Sequence, residues 1–292
     1  MKKCGNSLSA TPVSFMGLFF LLSVTIILTP IPQVEGKGEG SEEGLKPHGP
    51  IIINSKEELE ESSFIAGSGT EGDPFVIEGW KINVGGSEKE LGIGVSNVQT
   101  HLLIKNCELV GGKKAGLLLK NVENVSVEKN AFLGNENGLL LESSKRVQVS
   151  KNTFKDNNYA LSLFDCLYVT IGNNDVLENA FGIYLQSSTT NELTENLIKD
   201  NGWHGVYLDM TSRFNKIYHN SFVDNGGTAG ACDGSGLNTW YEEGKGNYWS
   251  RYEGKDANGD RIGDSSYKVP GKEGNYDKYP LIESVEEVGR SG

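Results

Sequence analysis

The sequence predicts an all-β fold, a right-handed parallel β-helix. It would be a solenoid of coils of about 22 residues, with a short N-terminal capping helix and an aromatic-rich C-terminal cap. Three observations carry this expectation. Near-copies of one unit start at Gly92, Gly116, Gly138, Ala160, Gly182 and Gly205. A fixed period this short means stacked units that share one continuous core. Asparagine also returns at two phases: Asn106, Asn130, Asn152, Asn174, Asn196 and Asn220, then Asn135, Asn157, Asn179, Asn201 and Asn225 behind them. Finally, apolar residues alternate. The first segment carries the pairs Ile93/Val95, Leu117/Leu119, Leu139/Leu141, Leu161/Leu163, Ile183/Leu185 and Val206/Leu208. The second carries Leu102/Ile104, Val125/Val127, Val147/Val149 and Val169/Ile171, and a short third carries Leu109, Phe132, Phe154, Val176, Ile198 and Phe222. Period two buries one face, so each unit reads as three short strands joined by Gly, Asn and Ser turns. A leucine-rich repeat is the rival, because V-x-V-x-x-N-x-F mimics part of its core. It lacks the leucine expected three residues earlier, where Val122 and Ser144 stand.

Residues 1–36 read as a secretory signal, with Lys2 and Lys3 ahead of an apolar run from Val13 to Leu28. An uncleaved N-terminal anchor is the alternative, and would be the only membrane attachment. Residues 37–49 are an acidic, Gly-rich linker. Residues 50–91 form the N-terminal cap and first coil. They hold a strand at 50–53 and a helix from about Lys56 to Ser62, opened by a capping box at Ser55-Lys56-Glu57-Glu58. A turn from Gly69 to Pro74 and a strand from Phe75 to Ile82 follow. The repeats fill residues 92–230. From 231 to 292 aromatic density rises, with Trp240, Tyr241, Tyr248, Trp249, Tyr252, Tyr267, Tyr276 and Tyr279 closing the hydrophobic end of the stack. The returning asparagines are scaffold: they tolerate a left-handed turn, and their amides stack from coil to coil.

The 292 residues carry a formal charge of −12, which argues against a nucleic-acid partner and leaves divalent cations and neutral or basic ligands. Beyond the signal, Cys107, Cys166 and Cys232 are expected to be buried thiols that behave as small hydrophobes. There is no CxxC, hence no zinc or redox signature. Asn124-Val125-Ser126 is a glycosylation sequon, in keeping with export. A secreted or cell-surface location follows, and oligomeric state is not readable.

The sharpest local motif is DANGDRIGD, with side-chain oxygens on Asp256, Asn258, Asp260 and Asp264 and the carbonyl of Ile262 between them. Alternate residues of a tight turn then point at one hard cation, as in calcium loops. Arg261 stands where an EF-hand has Gly, and Tyr267 where it has Glu. A structural calcium pinning the C-terminal cap is expected. Copper is not, because His48, His101, His204, His219 and Met210 show no tight ligand spacing.

The outward face of the first strand offers a second candidate. One column is Leu118, Leu140, Ser162, Tyr184 and Tyr207; its neighbour is Lys120, Glu142, Phe164, Gln186 and Asp209, with Trp203 and His204 in the preceding turn. Aromatic faces pack on pyranose rings and carboxylates accept hydroxyl hydrogen bonds, so Glu142, Phe164, Tyr184, Gln186, Trp203, His204, Tyr207 and Asp209 form a candidate surface for a polysaccharide or cell-surface glycan. No catalytic pair emerges: Glu142 and Asp209 lie three coils apart, roughly 14 Å by the strand spacing, too far for direct partnership.

GSGTEGDPFVIEGWKI ahead of the coils, the asparagine-bearing repeats, and GNYWSRYEGKDANGDRIGDSSYKVPG with NYDKYPL after them resemble NosD-type right-handed parallel β-helix proteins, also grouped with the CASH domain. The resemblance covers about residues 50–282. It implies either carbohydrate binding or cleavage, or an accessory role in copper-site maturation of nitrous oxide reductase. The preferred expectation is an exported, non-catalytic module that binds a carbohydrate or cell-surface polymer. A polysaccharide lyase or glycoside hydrolase, and a NosD-like copper accessory protein, are the alternatives.

Overall fold

A computed structural model describes residues 44–227 and 230–284. The signal or anchor at 1–36, and most of the linker, lie outside them. Three parallel sheets wind as one right-handed β-helix. The front sheet has eight strands: Ile51–Ile53, Leu91–Ser96, Ala115–Lys120, Asn137–Glu142, Tyr159–Phe164, Phe181–Gln186, Val206–Leu208 and Ala231–Asp233. The side sheet has seven, from Phe75–Glu78 to Lys216–Tyr218, and the back sheet nine, from Lys46–Pro47 to Tyr248–Trp249. The expected alternation is the core. Ile93, Leu117, Leu139, Leu161 and Val206 from the front, Ile104, Val127 and Ile171 from the side, and Leu109, Phe132 and Phe154 from the back are all fully buried. Phe132 stacks on Phe154 with centroids 4.7 Å apart.

The turns correct one expectation. The ladder asparagines are not the left-handed residues; the residue before each of them is. Lys129, Lys151, Asn173, Glu195 and His219 precede the first series, and Gly134, Asp156, Glu178, Asp200 and Asp224 the second, all at positive φ. That corner rotates the next side chain inward, where an amide can both donate and accept. Asn174 shows the pattern. Its Oδ1 accepts from the backbone N–H and the amide of Asn152, both at 3.0 Å. Its own amide donates to Val149 O, Gly172 O and Asn196 Oδ1. Asn106 is itself a left-handed corner residue, so Cys107 fills the ladder slot and its N–H donates to Asn130 Oδ1. Two further ladders carry no strict repeat in the sequence. One is Asn191, Asn215 and Asn238; the other is Ser144, then Ser188 and Ser212.

At the N-terminal end helix α1 (Lys56–Glu61) buries Leu59 and ends one residue before the expected Ser62. Ser55 caps it by accepting from Glu58 N–H, but Glu58 reaches back to the N–H of Asn54 rather than of Ser55. The strand expected from Phe75 to Ile82 is two strands, Phe75–Glu78 and Trp80–Asn83, broken where Gly79 takes φ of 77° and turns the chain from side to back sheet. At the C-terminal end Trp249 stacks between Phe222 (4.2 Å) and Tyr267 (4.4 Å). Asp277 is fully buried against this stack and accepts from Asn247 N–H, Trp249 Nε1 and Tyr279 N–H. The absence of a side chain at Gly246 makes room for it, since a Cβ there would lie 1.8 Å from Asp277 Oδ1. Cys107 and Cys166 are free and buried, as expected, and Cys232 is buried too.

Candidate functional site

The outer columns of the front sheet follow from its register. Leu118 pairs with Leu140, Leu140 with Ser162, Ser162 with Tyr184 and Tyr184 with Tyr207; beside them run Lys120, Glu142, Phe164 and Gln186. An open groove of about 480 Å³ lies across this face. Glu142, Phe164, Tyr184 and Gln186 line it together, but Trp203, His204, Tyr207 and Asp209 do not. Its remaining walls were not expected: Asn137 and Tyr159 from the first positions of their strands, Glu136 from the corner before one of them, and Glu90, Lys113 and Lys114 from the loops leading into the coils. The signal was available, since Tyr159 and Phe181 open their strands and Trp203 holds nearly the same phase in the repeat.

The floor of the groove is apolar toward the N-terminal end. Leu118 and Leu140 point outward yet are only 6% and 5% exposed, packed with Ala115, Leu91 and Phe164. Its rim is polar. Glu142 pairs with Lys120 at 3.3 Å, Ser162 donates to Asn137 at 2.7 Å, and Tyr184 donates to Gln186 Oε1 at 3.3 Å. Burial, with the neighbouring Tyr207 and Asp209 adding to it, pushes the Tyr184 phenol up. Tyr184 therefore stays a protonated donor at neutral pH.

The aromatic rings are arranged differently from the sequence expectation. Tyr159, Phe181 and Trp203 stack face to face at 4.7 and 5.8 Å, and Tyr184 stacks on Tyr207 at 5.3 Å with planes 3° apart. Neighbouring coils therefore occupy most ring faces, and the rows present edges to solvent. Trp203, 58% exposed at the end of its row, is the exception. His204 tilts against Tyr207 and buries an Nδ1 that has no hydrogen-bond partner among the described residues; burial lowers its pKa and keeps it neutral. Asp209 is committed to a turn, accepting from Ser187 N–H, Thr211 and Ser212. Burial works to raise its pKa, but those donors outweigh it and hold the carboxyl below the ordinary aspartate range.

The DANGDRIGD turn closes on its own backbone. Asp256 accepts from Gly259 N–H and Arg261 N–H, Asp260 from Ile262 N–H, and Asp264 from Ala257 N–H, while Asn258 donates to Asp260. Among the described residues no three His, Cys, Asp or Glu side chains converge as a metal centre, this turn included. The copper-type ligands are equally dispersed. His48 packs on Trp80 at 4.7 Å, His101 lines a groove on the side sheet, and Met210 is 77% exposed. Burial pushes the Cys107 and Cys166 thiols up to about 11 and about 12, so neither is a thiolate ready for a soft metal. These residues do not fit a copper site.

The family described as periplasmic copper-binding protein (NosD) matches residues 62–254. No curated protein matches the chain. Among solved structures, the A-modules of two Azotobacter vinelandii mannuronan C-5 epimerases are similar. AlgE6 shows 12% identity and a TM-score of 0.44 over 59% of this chain and 58% of its own. AlgE4 shows 13% identity and a TM-score of 0.43 over 59% of each. A DFA-IIIase from Arthrobacter chlorophenolicus in complex with DFA-III shows 12% identity and a TM-score of 0.41, over 59% of this chain and 50% of its own. The chain thus spans less than two thirds of these structures. No helix among the described residues is long and apolar enough to cross a membrane.

Proposed function

The chain belongs to the NosD family, and from that membership we propose that it is an exported β-helix that holds a neutral, hydroxylated polymer in its front-sheet groove without cleaving it. The observation that carries this reading is the composition of the groove. Three aromatic rings, two amides, a hydroxyl and alternating carboxylates and amines face one open channel that runs across successive coils. Edge-presented rings supply apolar wall, and Tyr184, Asn137, Gln186 and Glu142 supply the donors and acceptors that sugar hydroxyls need. Glu142 is ion-paired and Asp209 is locked in a turn three coils away, which speaks against a catalytic carboxylate pair.

A glycan array tests this. Binding is expected for the intact protein, with Tyr184→Ala weakening it about tenfold, the loss of roughly 1.4 kcal/mol of contact. Trp203→Ala, outside the groove, is expected to leave it within about twofold. No glycan retained, or equal retention by Tyr184→Ala, would end this reading, and release of reducing sugar would replace it with a hydrolase. This reading invokes no metal, and the Asp256–Asp264 turn lies outside the groove. Chelator, added calcium and added Cu(I) are all expected to leave the melting temperature unmoved. A rise of several degrees with calcium, abolished in Asp260→Ala, would instead assign the turn as a calcium site.

A further inference from the structure

A second open groove, about 560 Å³, lies on the side sheet and takes no part in the front-sheet reading. Glu71, His101, Ser126, Gln148, Tyr168 and Thr170 line it, and so does Asn124. Asn124-Val125-Ser126 is the N-x-S sequon noted above. Both of its polar side chains open into this one groove and both are half-exposed.

Two comparisons within the molecule set Asn124 apart. The ladder asparagines have their amides locked onto the next coil, as Asn130 does onto Asn152. Asn124 sits outside that system, at a corner with φ of 61°. Nor does the backbone demand an asparagine there. The same corner in the following coils is held by Arg146, Tyr168, Thr190 and Phe214, with φ between 52° and 59°. These are residues that adopt the left-handed region only at a cost. Asparagine suits a left-handed corner, but the column also accepts arginine, threonine and two aromatics, so the fold does not require it at this position. Tyr168, 55% exposed, stands two coils along at the open end of the groove, about 9.6 Å away by the strand spacing. That separation suits one sugar between an N-linked amide and a ring.

We propose that Asn124 is the acceptor of an N-linked glycan whose first sugars lie in the side-sheet groove. In the transfer, Asn124 Nδ2 bonds to the anomeric carbon of a lipid-linked oligosaccharide. The bond from that carbon to the lipid phosphate breaks, the phosphate leaves with the electron pair, and the amide gives up one proton. Gln148, Ser126 and His101 then offer hydrogen-bond partners to the attached sugars, and Tyr168 offers its ring. The proposal rests on export of the chain and not on the front-sheet groove binding a polymer.

The test is peptide mass spectrometry on full-length protein recovered from the exported fraction of the cells that naturally make it, so that export is established before the mass is read. The peptide holding Asn124 is expected to carry a mass increment in whole sugar residues. Asn124→Gln and Ser126→Ala should remove it, and Ser126→Thr should keep it. Tyr168→Ala should leave the increment in place but speed glycosidase trimming several-fold, because the sugars lose their wall. An unmodified peptide in the wild-type protein overturns the acceptor assignment. Equal trimming rates with and without Tyr168 overturn the placement in the groove.

Discussion

Asn174→Ala is expected to destabilise the protein by about 4 kcal/mol. The substitution removes the one acceptor shared by the backbone N–H and the amide of Asn152, and both donors are buried. A buried donor left without a partner costs about 1–3 kcal/mol. The donations from Asn174 to Val149 O and Gly172 O are lost as well. Water cannot repair the gap, because Asn152, Asn174 and Asn196 are all essentially inaccessible. The control is one residue away. Asn173 is the left-handed corner at φ of 57°, and its amide donates only to the exposed Glu195. Glycine accepts that conformation freely, so Asn173→Gly should stay within about 0.5 kcal/mol of wild type. Urea unfolding with an unchanged m-value separates the two. If Asn174→Ala unfolds at the same urea concentration as Asn173→Gly, the ladder is ornament and the coils are held by apolar burial alone.

That contrast also marks what the sequence revealed. Inward positions were legible because period-two alternation admits one buried face: Val125 with Val127 and Leu139 with Leu141 could point only one way. The phase of the asparagines was legible for a similar reason, since an amide that must meet the same amide in the next coil cannot drift. The conformation around it was not. The left-handed corners are filled by Lys129, Glu178, Tyr168 and Phe214 as readily as by Asn, because the stacked coils override local preference. The outer columns were legible as a register but not as a surface. Alternation says that Tyr184 and Tyr207 face out; it does not say that their rings stack and hide one another's faces. Nor does it place Tyr159, at the start of its strand, and Lys113, from a turn, in the groove. The calcium-like spacing of the Asp256 turn is also the spacing of a turn that caps its own amides, and spacing alone does not separate the two.

The aromatic closure of the C-terminal end was legible, but its key polar contact was not, because it joins Asn247 to Asp277, 30 residues apart in a region without period. Asp277→Ala is expected to cost about 4 kcal/mol, because it leaves Asn247 N–H, Trp249 Nε1 and Tyr279 N–H without their acceptor. The same residue makes stability depend on pH, and the direction follows from its surroundings. Burial pushes its carboxyl up from 3.8 to about 6, and the donors of Asn247, Trp249 and Tyr279 only partly oppose that. Between those two values the folded protein holds a proton that the unfolded chain has released. Stability from this group is therefore fully present below about pH 4, falls as pH rises through 6, and is flat beyond; two pKa units correspond to about 3 kcal/mol. Asp277→Asn keeps an acceptor for Asn247 and Trp249 but carries no titrating group, so its stability should not fall across that window, while wild type should. Urea midpoints at pH 4, 5, 6 and 7 measure both. If the asparagine variant keeps the wild-type slope, the pH dependence belongs to other carboxylates, and the buried charge at the end of the ladder is balanced by its donors after all.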